Sequence, residues 1–391
     1  MGSVIVRPAG ARGARRRALV ATVAVAVAGA AVGSPRPSQA RSLQGTLREL
    51  TTFGGLTVPS EVIETGVALE RLAVASSDFT PTATAPGFFY RFDPALGAPE
   101  RVSSARGPVF AEPTETVGAG NVDLGLTYLY SDYTELNGES LTSALESLDT
   151  ISPQQQTIFR LDADQFELRS NTFLFSSTYG LTDRWDVNLL APMILTSMNL
   201  RARSDLLVGL LQTTKRVDAN QDKLGVGDLL LRTKYRVPER AGFGGALLLS
   251  LRVPTGNEDN FQGLGDVVVA PLLAVSRKFG PHDLHLNLGV DINAGDLDRT
   301  RARYALGLTA HLLDPLSGLL DIVGTSGFTS DHFSERGVSG TIERTDIVDL
   351  SLGLKLTITE RLIAHVGTLV PLTDDGLRAD VIPVGGIQAS F

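Results

Sequence analysis

The chain contains no cysteine among its 391 residues, which excludes disulfides and thiolate metal sites. Aromatic residues are scarce at 6%, with a single tryptophan, lean for a protein that needs aromatic belts at two membrane interfaces. Beyond the first forty residues no stretch offers about 18 consecutive apolar residues, so no later helical span is available. The hydrophobic fraction, 43%, is too low for a bundle of membrane helices. Basic charge is also short. Six of the 35 Lys and Arg, and none of the 43 Asp and Glu, lie in residues 1–40, leaving 29 against 43 and a net −14. A chain that acidic repels phosphate backbones, which argues against nucleic acid as a partner.

What is present begins at the N-terminus. Arg7, Arg12, Arg15, Arg16 and Arg17 precede an Ala/Val run from Ala18 to Gly33, followed by two prolines and the small-x-small site Ser38-Gln39-Ala40. This is the layout of a secretory signal peptide over 1–40, with Arg41 as the expected mature start; the competing reading, a single membrane anchor, suits a longer and more Leu-rich run. An exported chain without a second helical span is either soluble or a closed barrel, because only helices and closed barrels satisfy every backbone hydrogen bond in hydrocarbon.

From about residue 121 the dominant period is 2. In GDLLLRTKYRV (227–237), Leu229, Leu231, Thr233, Tyr235 and Val237 alternate with Asp228, Leu230, Arg232, Lys234 and Arg236. DLHLNLGVDIN and VDLSLGLKLTI repeat the pattern. Successive side chains of a strand point to opposite faces, so these are amphipathic strands. Twelve segments qualify: 121–133, 164–180, 185–201, 226–237, 244–254, 265–277, 283–293, 303–312, 318–326, 346–357, 362–371 and 380–391. Short connections (181–184, 238–243, 278–283, 313–318, 359–361) take turns with longer ones (134–163, 202–225, 255–264, 294–302, 327–345, 372–379). That asymmetry fits an up-and-down transmembrane barrel with short periplasmic turns, and a Greek-key sandwich gives no reason for it. The expected fold is therefore all-β: a closed antiparallel barrel of about 12 strands over residues 116–391, with both ends of the sheet on the periplasmic side.

Three features resist this reading. Pro192 and Pro271 each delete a ladder hydrogen bond within a proposed strand. VVVAPLLAV (267–275) is apolar on both faces. Between Phe166 and Tyr179 the large apolar residues switch from even to odd positions, which a β-bulge would repair.

Residues 41–115 carry a different pattern. SLQGTLRELTTF and PSEVIETGVALERLAV read as short helices, the second with Ser60 as N-cap, Glu61 and Glu64 in its first turn, and Val62, Ile63, Val67 and Val74 on one face. A Pro/Thr/Gly-rich linker, TPTATAPG, follows. This segment is either an extended or periplasmic arm or a plug that enters the lumen.

GFFYRFDPALG (87–97), GPVFAEPTETVGAGNVDLGLTYLY (107–130), YGLTDRWDVNLLAP (179–192), GVGDLLLRTKYRV (225–237) and LRVPTGNEDN (251–260) resemble the bacterial family labelled for the MetA pathway of phenol degradation. The resemblance covers most of residues 87–391 and departs at Pro113, where a polar residue is expected. It implies an outer-membrane barrel moving aromatic or apolar solutes, surrounded by outer-membrane lipid, and supplies no catalytic residues. It also implies that the C-terminal strand ending in Phe391 is read by the barrel-assembly machinery.

No cofactor or metal site emerges. DANQDKLG (218–225) mimics a calcium loop, but the position-six glycine is Lys223 and the position-twelve glutamate is Leu229, so it reads as a solvated outer loop. His282 and His285 fall on opposite faces. GFGG (242–245) is a turn without a helix to cradle phosphate, and no GxSxG elbow occurs. In a barrel, cations on the lipid face near mid-membrane cost roughly 2–4 kcal/mol each. The expected lumen-lining residues are therefore Asp228, Arg232, Lys234, Arg236, Arg252, His285, Asp291, Asp349, Lys355 and His365, with His311 and Asp321 facing the same way. They form either a bracing lattice of ion pairs or a lining tuned for solutes. The expected function is passive passage of small solutes, hydrophobic or aromatic ones among them, and not an enzyme activity. The alternatives are a structural or adhesion barrel, an embedded hydrolase, and a soluble periplasmic binding protein.

Overall fold

The computed structural model describes residues 41–391 apart from 57, 78–88, 94–97, 103–107 and 154–155. The expected signal peptide and the TPTATAPG linker lie outside the described residues. Twelve antiparallel strands close on themselves: β1 (Val122–Leu136), β2 (Thr157–Thr182), β3 (Trp185–Val208), β4 (Leu229–Arg240), β5 (Phe243–Val253), β6 (Val268–Phe279), β7 (His282–Asn293), β8 (Arg301–Leu313), β9 (Leu316–Gly327), β10 (Asp346–Thr359), β11 (Leu362–Pro371) and β12 (Ile382–Ser390). Each pairs with the next, and β12 returns to β1, Val384 opposite Leu129 and Ser390 opposite Asp123. Val122 and Phe391 exchange backbone hydrogen bonds at the seam.

The alternation places grease outside. Leu231, Leu288 and Leu352 are 48%, 53% and 47% exposed, whereas Arg232 and Asp349 are 6% and 3% exposed. A soluble sandwich would show the opposite, so the wall is a transmembrane β-barrel with hydrocarbon as its outer solvent. Trp185 and Tyr235 lie opposite each other near the short-turn end, both outward, and the Trp185 indole donates to Thr233 Oγ1 at 2.6 Å. Phe243 and Phe279 extend that belt, with the Arg277 guanidinium over both rings.

The prolines sit where a donor is dispensable. β3 pairs with β4 through 185–190 and with the strand Leu211–Val226 through 193–208. Pro192 occupies the changeover, where its missing N–H breaks no ladder, and its carbonyl accepts Gly227 N–H at 2.8 Å. At Pro271 the β6–β7 ladder skips two residues and resumes in the same register.

No bulge separates Phe166 from Tyr179, contrary to expectation: the register of β2 against β1 and β3 is unbroken there. Even-numbered side chains point inward throughout, Leu168 and Leu174 buried and Phe175 exposed. The surroundings change along the strand while the phase is kept. Three of the longer connections are also folded. Residues 202–225 continue β3 and return as Leu211–Val226, so DANQDKLG lies on a strand, Asp218 facing Arg201 at 3.6 Å, and is not a loop. Residues 134–163 contain a helix, Leu141–Glu146, and 327–345 contain the hairpin Asp331–Glu335/Val338–Ile342.

At the long-connection end lie α1 (Leu43–Glu49), capped by Ser42, and α2 (Ser60–Ser77). α2 begins at Ser60 and buries Val62, Val67 and Val74. Leu43, Leu50, Phe53 and Val62 pack on Phe159, Leu161, Leu168 and Leu200 of β2 and β3, Phe53 meeting Phe159 edge-on at 6.2 Å. Both helices therefore sit at the end opposite the short turns. Arg71 of α2 reaches Asp296 (2.7 Å), Asp331 (2.9 Å) and Glu335, three carboxylates from two long connections. Burial lowers the Arg71 pKa, and the hydrogen bonds and charges of these partners more than reverse that, leaving it above the ordinary arginine value.

Candidate functional site: a strapped lumen with an arginine-lined chamber

Residues 108–118 run through the barrel interior as an extended strap and leave at the short-turn end to begin β1. Two prolines and the absence of any period keep PVFAEPTETVG from joining a ladder, so its polar backbone must find partners on the wall. Those partners are the inward polar residues. Val109 and Phe110 N–H donate to Asp321 Oδ2 at 3.2 and 3.1 Å. Glu112 N–H donates to Asn287 Oδ1 at 2.6 Å, and Asn287 Nδ2 returns a bond to the Glu112 carbonyl at 2.8 Å. Thr114 N–H donates to Ser276 Oγ at 3.3 Å, and Val117 N–H to Asp186 Oδ2 at 3.0 Å.

Lys234 is the central clamp. Its ammonium has three donors. One meets Glu112 Oε1 at 2.6 Å, and the others reach the carbonyls of Pro113 (3.2 Å) and Glu115 (2.9 Å). Glycine makes room for the strap: a Cβ on Gly307 would come within 2.8 Å of Ala111 Cβ and 2.5 Å of Asp321 Oδ1, and one on Gly180 would strike the Gly118 carbonyl.

Above the strap lies a chamber of about 130 Å³. Arg232, Arg252, Asp291 and Asp349 meet there with Arg299, Arg301, Arg303, Arg378 and Glu112. Arg303 holds Asp291 through Nε at 2.9 Å, and Arg378, carried inward by the last long connection, holds Asp349. Asp228 stands 3.8 Å behind Arg252 and accepts Gly256 N–H (3.0 Å) and Leu264 N–H (2.8 Å), which folds the β5–β6 connection into the bore.

The remaining expected positions lie elsewhere. His285 is buried below the chamber, its Nδ1 2.8 Å from Ser276 Oγ. Its Nε2 makes no hydrogen bond among the described residues, and the strap's Thr114 N–H donates to the same serine. Lys355 is buried in the short-turn half, opposite the half-buried His365. Arg236 is half-buried near the short turns, away from the chamber, and its N–H donates to the Arg184 carbonyl. His311 faces the turn residue Asp314 at 3.0 Å. Glu112, Asp186, Asn287, Arg303 and Arg378 were not singled out from the sequence. Asp186, Asn287 and Arg303 occupy inward positions of alternating strands and were accessible to the same reading; Glu112 and Arg378 lie off the barrel strands and were not.

Among solved structures, an outer membrane channel from Pseudomonas putida F1 is 18% identical, with 71% of this chain and 98% of that one covered and a TM-score of 0.48. A Pseudomonas aeruginosa FadL homologue (10% identity, 70% and 90% covered, TM-score 0.33) and the CymD monoaromatic hydrocarbon channel (9%, 70% and 89%, 0.34) also align. Likeness at this level carries no functional weight. No curated protein matches the sequence. Residues 152–372, more than half of the chain, match the family described as "Putative MetA-pathway of phenol degradation", and the protein belongs to that family.

Proposed function

We propose that the protein is an outer-membrane channel through which small solutes, hydrophobic or aromatic ones among them, move down their gradients. The observation that carries this reading is the pairing of a hydrocarbon-facing outer wall with a hollow, ion-lined chamber inside it. A purely structural barrel has no need of the hollow, and a solute crossing a membrane does. The strap is the constriction of this channel, since it fills the bore between the chamber and the short turns. Its anchors are mostly polar contacts to the wall, with Phe110 packed among buried apolar residues of the interior.

One observation favours a second reading. A strap held by this many contacts is also what a non-transporting barrel would use to fill its bore. Planar-bilayer recording on the purified, folded chain separates the two. Discrete conductance supports passage, and silence from protein that retains heat-modifiable gel migration rejects it. Membrane fractionation tests the location: recovery in the outer-membrane fraction is expected, and release by osmotic shock without detergent would refute it.

A further inference from the structure

Beyond the membrane, β2, β3 and the strand Leu211–Val226 form a blade that ends in an apolar run. The outward pairs of β3 turn polar after Leu195–Leu224, with Ser197–Asp222, Asn199–Asn220 and Arg201–Asp218 next, so the hydrocarbon zone stops there. From Leu195 to Leu207 the strand climbs about 3.3 Å per residue at a tilt of about 35–45°, which carries the turn roughly 30 Å past that boundary. The turn reads LLVGLL (206–211). Tight turns favour Gly, Asn, Asp and Ser, and here only Gly209, at φ +58°, follows that rule. Leu206 is buried in the core shared with α1 and α2, and Val208 packs at its edge. Leu210 and Leu211 lie outside it: Leu210 is fully exposed, and Leu211 and Ile151, on the neighbouring strand Thr150–Ser152, are 64% and 68% exposed. Ile151 stands opposite Ile158, and Ile158 opposite Leu207, on the outward face; Leu211, opposite Val208, lies on the other face.

A knob that is apolar on both faces and at its tip is convex, whereas a protein partner needs a fitted surface of about 800 Å². A fluid medium closes round such a knob from every side. The next outward rows carry charge: Arg160, Asp205 and Thr214, then Asp162, Arg203 and Arg216. Arg203 holds Asp205 at 2.9 Å, while Arg160 and Arg216 are exposed. These rows lie about 7 and 13 Å behind Leu207, and interfacial elements sink about 5–10 Å into a bilayer. Arginine stems extended along the blade place their guanidinium groups at the level of the lipid phosphates. We infer that the blade tip is a docking finger for a second lipid bilayer with anionic headgroups. Leu207, Leu210 and Leu211 enter it with Ile151 and Ile158, and Arg160 and Arg216 meet its phosphates. The height of the tip above the barrel's own hydrocarbon makes that bilayer a separate one. Three arginines against two aspartates leave a single excess charge, so the leucines supply most of the affinity and the arginines the preference for anionic lipid. The inference rests on the membrane-spanning wall and not on passage through the bore.

The test is flotation of the full folded chain, held in phosphatidylcholine nanodiscs, with vesicles of phosphatidylcholine alone or with phosphatidylglycerol added. The chain should float with the vesicles and bind about fivefold more tightly when phosphatidylglycerol is present. Leu210→Ser with Leu211→Ser should weaken binding to both kinds of vesicle by about tenfold or more. Arg160→Gln with Arg216→Gln should keep binding to neutral vesicles and lose the anionic preference. Leu206 is untouched in both variants, so the helix-packed core is kept and heat-modifiable gel migration should persist. A parent chain that does not float, equal binding to the two kinds of vesicle, unchanged binding in the leucine variant, or an unchanged anionic preference in the arginine variant would overturn the inference. The chain has no cysteine, so Leu210→Cys reports a competing occupant: efficient disulfide formation between copies in detergent, without vesicles, would put a second copy on the knob and overturn it too.

Discussion

Replacing Lys234 with methionine should release the strap. The ion pair it makes with Glu112 is sealed, the two side chains being 3% and 2% exposed. Removing one partner of such a pair costs about 3–5 kcal/mol, and the lower end applies here because Glu112 still feels the charge of Arg232. Glu112 recovers its hydration only if residues 108–118 leave the wall. With every 1.4 kcal/mol worth a factor of ten, the displaced state should gain roughly two decades in relative population. The chain has no cysteine, so Ala111→Cys gives a unique reporter at a fully buried strap position. Its maleimide labelling should accelerate by about a hundredfold or more in Lys234→Met. Adding Glu112→Gln removes the stranded charge and should abolish most of that acceleration, and the double-mutant cycle gives the coupling energy. Labelling within twofold of the parent rate, on protein that keeps its folded gel migration, would refute the clamp.

Four further outcomes follow from the same geometry. Gly307→Val puts methyl groups where Ala111 and Asp321 already stand, so bilayer conductance should rise as the strap is pushed off, with unchanged conductance counting against the packing. Phe159→Ala removes a fully buried ring beneath Phe53 and should cost about 3–5 kcal/mol, read as earlier thermal loss of hydrogen-exchange protection in α1 and α2 than in the barrel. Arg71→Gln should loosen α2 at low salt. Raising the salt from about 0.1 to 1 M, which shortens the screening length from roughly 10 to 3 Å, should produce part of the same loosening in the parent protein. Glu258, in the β5–β6 connection, has its carboxyl pKa raised above 4.5, first by burial and then by Asp259 and Asp266. The protonated form is thus the better one in the folded state, and its advantage is lost as pH rises through the folded value. Glu258→Gln should accordingly raise the melting midpoint at pH 7 and change it little at pH 4.

The barrel was legible because its signal is local. A period of 2 in β4, β7 and β10 needs no knowledge of the partner strand, and short connections alternating with long ones give the topology directly. The inward charges followed from the same rule. The strap was not legible in the same way. PVFAEPTETVG carries no period, and its partners Asp321, Asn287 and Lys234 lie more than a hundred residues away along the chain. Sequence alone left an arm and a plug both open for residues 41–115, and it had no means of pairing Glu112 with Lys234. Arg378 was hidden for a related reason: it belongs to a connection, and only the inward fold of that connection brings it to Asp349.

The apparent phase change in β2 has the same origin, and it shows why binary patterning alone misread this strand. A barrel strand about 9–11 residues long suffices to cross a membrane, whereas β2 has 26 residues. Its short-turn half meets hydrocarbon outside, so Phe173, Phe175 and Tyr179 are odd. Its other half rises past that zone and lines the compartment filled by α1 and α2, so Phe159, Leu161 and Leu168 are buried there. Between Ala163 and Gln165 the β2–β3 register does slip by one residue, which is how odd Phe159 and Leu161 and even Phe166 and Leu168 all reach the same inner face. The bulge that the pattern called for between Phe166 and Tyr179 is therefore absent; the one that β2 does carry lies N-terminal to Phe166 and serves the helix-packed half. The switch between Leu168 and Phe173 is a change of solvent at constant register: below it the apolar side chains look out to lipid, and above it they look in to protein.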